Sequence, residues 1–236
     1  MSAEKVVEDL KKFAKSSKSV DLQRFFKTGP GDYAEGDVFI GVMVPQTRKV
    51  ATKFKDLDLV EIAKLTKSDI HEVRLCGLII LTNQYKRSKD LAQKKEIFNF
   101  YMREVKAGNV NNWDLVDVTA PTIGEYLLHI ADPISLLKKL AKSKSLWERR
   151  TSMILTFALI RAGEFDATYE MAEYHLKDEQ DLMHKSVGWM LRELGKRDPG
   201  LLRAFLKEHC QEMPRTALRY AIEKLPEPER RRWLLR

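Results

Sequence analysis

Between Asn111 and Asp117 the chain runs Asn-Asn-Trp-Asp-Leu-Val-Asp. On a helix, Trp113 and Asp117 share a face, and Asp114 lies one turn from Asp117. An ionised carboxylate beside an indole suits one task, holding a positive charge as it develops. The carboxylate acts through its charge and the indole through its electron-rich face. The bland reading stands beside it: an acid at position 114 complements the helix dipole, and Trp113 is equally explained as core. On the residues alone both readings stay open. Other chemistry has weaker support. Cys76 and Cys210 lack ligand-type neighbours, which argues against a disulfide framework or a zinc site and fits a reducing, cytoplasmic setting. His71, His129, His175, His184 and His209 are scattered and read as structural or solvated. No Gly-x-Ser-x-Gly, Walker or His-Glu-x-x-His pattern occurs. No metal and no organic cofactor are expected.

The elements that position these residues read as helices almost throughout. Asp132-Pro133 and Asp198-Pro199 each put an N-cap acid before a proline at the first helical position. Ser145 with Glu148 forms a capping box, and Asp69 with Glu72 looks like another. The β-branched run Val38 to Val44 has no evident partner and ends at Pro45, so it reads as an extended connection feeding a helix. Met153, Met171, Met183 and Met190 read as core, Trp147 as core, and Trp233 as a closure of the last helices.

Four segments begin with a cation and continue as an apolar helix, at Arg74, Arg150, Lys185 and Arg215; a fifth begins at Asp114. They recur at intervals of about 30 to 40 residues, each with room for a shorter second helix such as Pro133 to Ala141 or Asp166 to Leu176. That spacing indicates an all-α architecture, an α-solenoid of HEAT-like helical repeats in one domain over residues 1–236. Equivalent positions then align. Arg74, Arg150, Lys185 and Arg215 are expected to form a stripe on a concave basic face, thickened by Lys138, Lys139, Lys142, Lys144 and Arg149. Lys and Arg total 42 against 34 acids, a net charge of +8, which suits a polyanionic partner. The longest apolar run, Leu75 to Leu81, is too short to span a membrane.

Three blocks resemble the AlkD-type DNA alkylation repair family: Phe39-Ile-Gly-Val-Met-Val-Pro45-Gln-Thr-Arg48, Trp113-Asp-Leu-Val-Asp117, and Lys185-Ser-Val-Gly-Trp189-Met-Leu-Arg192-Glu193. Trp147-Glu-Arg-Arg150 is a weaker fourth. The resemblance covers most of the chain and implies HEAT-like repeats that hold DNA. It implies that Asp117 is the catalytic carboxylate and that Trp113 and Trp189 pack against the sugar of the damaged nucleotide. Arg150 then contacts the DNA backbone. Arg48 and Arg192 are weaker phosphate contacts, with Lys185 and Arg149 on the same path. Some relatives lack the acid and bind DNA without this activity. Many relatives carry a second tryptophan where this chain has Asn112, a departure that bears on substrate range and lesion packing.

The implied function is a monomeric glycosylase that removes N3- and N7-alkylated purines from double-stranded DNA. Such bases are cationic and depart without a general acid, so one carboxylate suffices to stabilise the oxocarbenium-like sugar and to position water. The family engages the duplex from the backbone side and leaves the lesion stacked, in contrast to base-flipping enzymes. The rival reading is a non-catalytic helical-repeat scaffold that binds DNA or protein.

Overall fold

A computed structural model describes residues 1–235. Among them are fourteen α-helices, one 3₁₀ helix and no strand, so the all-α helical-repeat expectation holds. The contacts group the chain into two compact units, Met1–Ile123 and Gly124 onward.

The first unit contains α1 (Ala3–Lys11), α2 (Ser16–Phe26), α3 (Val44–Lys53), α4 (Leu59–Thr66), α5 (His71–Arg87), α6 (Leu91–Lys106) and α7 (Trp113–Ile123). Each helix from α4 packs on its neighbour, while α3, α5 and α7 pack on one another in turn and α4 packs on α6. Two layers result, the pattern of stacked helix pairs. α5 is the centre of the unit. Thirteen of its residues are buried, including the polar His71, Glu72 and Arg74, so it has no solvated stripe of the kind an amphipathic surface helix keeps.

The second unit repeats the scheme. The 3₁₀ helix Gly124–His129 leads to α8 (Pro133–Ala141), α9 (Leu146–Ala162), α10 (Asp166–Tyr174), α11 (Asp181–Arg197), α12 (Pro199–His209), α13 (Arg215–Ala221) and α14 (Glu227–Leu234). α9, α11 and α13 form one layer, with α8 packed on α10 in the other. The predicted caps are in place. Asp132 accepts from the Ser135 N–H at 3.0 Å and Asp198 from the Leu201 N–H at 2.8 Å. Ser145 caps α9 through the Glu148 N–H. Gly188 lets α11 lie directly on α13, since a Cβ there would stand 2.4 Å from the Ala217 carbonyl oxygen. Trp233 is buried, as expected of a terminal closure.

Two local expectations change. Asp69 and Glu72 do not form a capping box, because Ile70 is the N-cap of α5 and has no side-chain cap. Glu72 reaches instead to the extended segment before α3 and accepts from the N–H groups of Ile40, Gly41 and Val42 at 2.8 to 3.2 Å. The reason is plain: that segment makes only one bridge, Val38 with Ile70, and its remaining buried donors need an acceptor. The cation stripe also changes. Arg74 and Arg150 are each only 4% exposed, because the register that suited a surface track falls on helices buried on nearly every side. Arg215 is exposed as expected.

Candidate functional site

α7 carries the Trp-Asp-Leu-Val-Asp block. Leu115, Val116, Thr119, Ala120 and Ile123 are buried, and their spacing turns the opposite face outward. Trp113 and Asp117 lie on that outer face, one turn apart and both half-buried. Four residues beyond Asp117 stands Pro121, inside the helix. Lacking an N–H, it cannot donate to the Asp117 carbonyl, so the backbone ladder is interrupted at the candidate acid.

Trp113 is held on one side by α2. Its ring stacks on Phe26 at 5.3 Å with an interplanar angle of 17°, and Phe25 meets it edge-on at 6.0 Å. Phe26 stacks in turn on Phe39 at 5.0 Å, and Phe39 stacks on the His71 imidazole at 4.5 Å. Such a column fixes the indole plane while leaving part of the ring uncovered. Phe25, 65% exposed, extends the aromatic surface outward.

The start of α7 is fixed by a buried polar cluster. His71 Nε2 lies 2.9 Å from Asp114 Oδ2, and its Nδ1 lies 3.1 Å from Asp37 Oδ2. Asp37 also accepts from Arg74 at 2.5 Å and from Asn112 Nδ2 at 3.1 Å. Asn112 Oδ1 accepts from the Trp113 N–H at 2.8 Å, and its carbonyl receives the first helical bond from Val116. Burial alone would depress the His71 pKa. The Asp114 charge and the hydrogen bonds to both carboxylates outweigh it and raise the value to about 9. Burial pushes the Asp37 carboxyl upward, but the bonds from His71 and Asn112 and the Arg74 charge leave it below the usual range.

His71 is structural, as the sequence suggested, and the cluster shows what it supports. It belongs to the support of the candidate site, which its sequence surroundings did not announce; its two partners lie 34 and 43 residues away. Asn112, the residue at which the sequence departs from the resemblance, is fully buried and faces Asp37. It therefore belongs to the cluster rather than to the outer face of α7.

In the second unit, Trp189 is half-buried on α11, its ring 5.9 Å from that of Phe157. Arg150 is buried on α9 and donates through Nη1 to the Leu182 carbonyl. Arg149 is half-buried, pairs with Asp178 at 2.6 Å and donates to the carbonyls of Ser143 and Lys144. Lys185 pairs with Asp181 at 2.6 Å, and Arg192 pairs with Glu223. In the first unit Arg48 is exposed on α3. Of the expected DNA contacts, Arg48 and Lys185 are thus the ones most open to solvent. Both cysteines are free and buried, and burial pushes the Cys76 thiol up to about 12, which removes it as a nucleophile. Among the described residues no helix is long and apolar enough to cross a membrane.

The fold is shared with a solved structure described as a predicted DNA alkylation repair enzyme from Enterococcus faecalis, at a TM-score of 0.71 and 17% sequence identity, with 91% of this chain and 97% of that one covered. No curated protein matches the sequence. The sequence profile of one family, described as DNA alkylation repair enzyme, matches residues 6–225. With nearly its whole length matched, this chain belongs to the DNA alkylation repair enzyme family.

Proposed function

We propose that the protein is a DNA glycosylase that releases cationic N3- and N7-alkylated purines from duplex DNA, with Asp117 as the carboxylate that carries the reaction. The observation behind this reading is the outer face of α7. It presents an acid and an indole one turn apart, both half-buried, on a helix whose opposite face packs inward, with the indole braced by Phe26. An acid beside a braced indole combines a negative charge with an electron-rich face, the two features a developing cation needs.

An alkylated purine leaves with the electrons of its glycosidic bond and becomes neutral as it goes, so the positive charge passes to the deoxyribose. An ionised Asp117 beside C1′ opposes that charge and orients or deprotonates the incoming water. The Trp113 face adds cation–π attraction and excludes bulk water. Trp189 is proposed as the second indole, and Arg48, Lys185, Arg150, Arg149 and Arg192 as backbone contacts. For these six the reading rests on the resemblance of their sequence blocks, and each is tested by its own variant. The chemistry asks for neither metal nor organic cofactor.

The test is base release from methylated duplex DNA, followed as abasic sites. Asp117→Asn should slow release by on the order of 10² to 10⁴ with DNA affinity nearly intact. An Asn variant releasing 7-methylguanine at the parental rate would remove Asp117 from the chemistry. A parent that binds DNA and releases nothing would make the protein a binding scaffold.

A further inference from the structure

We infer that His71 is a positioning residue for the α7 site: held between Asp37 and Asp114 as an imidazolium, it sets where Trp113 and Asp117 stand and neutralises the second acid of that helix turn. For its activity readout this rests on the glycosylase reading; the geometry stands apart from it.

The first ground is the tautomer. A neutral imidazole has one N–H and one lone pair, so it can donate to one carboxylate but must set its lone pair against the other. His71 has a carboxylate oxygen within 3.1 Å of each ring nitrogen. Both nitrogens therefore carry protons, and the ring is a cation. The groups facing it are Asp37 from the segment before α3, Asp114 from α7, Arg74 one turn along α5, and the rings of Phe26 and Phe39.

The second ground is what the bridge connects. Asp114 lies between Trp113 and Asp117 on α7, and it is anchored through His71 to α5, the buried centre of the unit. The imidazole also completes the aromatic column that braces Trp113 through Phe26. One side chain therefore holds α7 by its charge and the indole by its ring. The third ground is the charge of Asp114. Asp114 Oδ1 is buried with no hydrogen-bond partner, an arrangement tolerable for a carboxylate whose charge is balanced by an adjacent cation. The charge of Asp114 is thus balanced inside the cluster, on the inner side of that turn.

If the inference is right, deprotonating His71 loosens the first turn of α7. In the intact protein with ¹⁵N-labelled histidine, NMR should show both ring nitrogens of His71 protonated until about pH 9. The Trp113 indole N–H signal, assigned with Trp113→Phe, should shift along the same curve. His71→Gln should slow base release roughly 10- to 100-fold, with DNA affinity within about twofold, as expected of misplaced rather than missing groups. The parental rate should fall along an alkaline limb near pH 9 that His71→Gln lacks, and His71→Arg, which retains a cation, should recover part of the rate without the limb. Asp114→Asn removes the charge from the same bridge at constant size, and serves if His71→Gln fails to fold. A Trp113 signal indifferent to the His71 titration, or variants with parental rate and pH profile, would overturn the inference. A parent without base release ends the glycosylase reading and leaves the linked titration of His71 and Trp113 to decide this one.

Discussion

Trp113 and Asp117 are legible in the sequence because the relation that matters between them is local, a four-residue step on one helix face. His71 is not, because its role arises from carboxylates brought to it by folding across 34 and 43 residues. The cations show the opposite failure. Arg74 and Arg150 have a regular register, yet both lie inside helices α5 and α9, one paired with Asp37 and the other donating to the Leu182 carbonyl. Register alone does not say which side of a helix meets water. Two variants separate these cases. Arg48→Ala should reduce the salt slope of DNA binding by about one with the melting temperature unchanged, as for an exposed phosphate contact. Arg150→Ala should destabilise the fold by about 1–3 kcal/mol, since the Leu182 carbonyl loses a charged donor. As a proposed backbone contact it should also lower the salt slope, and a melting curve beside a salt titration reads the two effects separately.

At the scale of elements, helix starts were the most legible feature. Asp132, Ser145 and Asp198 cap as their neighbours dictate, because a cap is decided within four residues. Glu72 obeyed a tertiary demand instead, and no local pattern reveals that an extended segment elsewhere will lack acceptors. Glu72→Gln keeps one acceptor oxygen but loses the charge shared among three N–H groups, and should cost about 1–3 kcal/mol by chemical denaturation. The approach of α11 to α13 likewise depends on Gly188, next to Trp189. Gly188→Ala drives a methyl against the Ala217 carbonyl and the Tyr220 side chain. The helices must part, at about 1–3 kcal/mol. Calorimetry checks the loss, and a melting temperature equal to the parent's would show that α11 and α13 tolerate a wider spacing.

Over the whole molecule, two buried histidines give stability opposite responses to pH. His71 is raised to about 9, so its contribution is complete below the unfolded value near 6.5 and is lost as pH rises through 9. His175 is depressed to about 4, chiefly by burial, so it favours folding while neutral and its contribution is lost as pH falls from about 6.5 toward 4. The melting temperature should therefore peak near pH 6.5 and decline on both sides, and His71→Gln should flatten only the alkaline decline. The helical-repeat plan itself was readable because its period repeats along the chain; the division into two compact units was not, since nothing in the composition changes near Ile123. A last consequence follows from the first turn of α5. His71 takes hold of Asp37 while Glu72 takes hold of Ile40, Gly41 and Val42, so the chain that leaves α2 is recaptured before α3 begins. The stretch around Gly31, exposed and with open space about its Cα, is thereby released from any duty of alignment. A short Gly-Ser insertion after Gly31 should cost only the entropy of a longer loop, about 0.6 kcal/mol for a doubling, and base release should proceed at the parental rate. Slack introduced there is confined to the loop, because α1 stays seated on α3, α4 and α5 and Phe26 stays against Trp113.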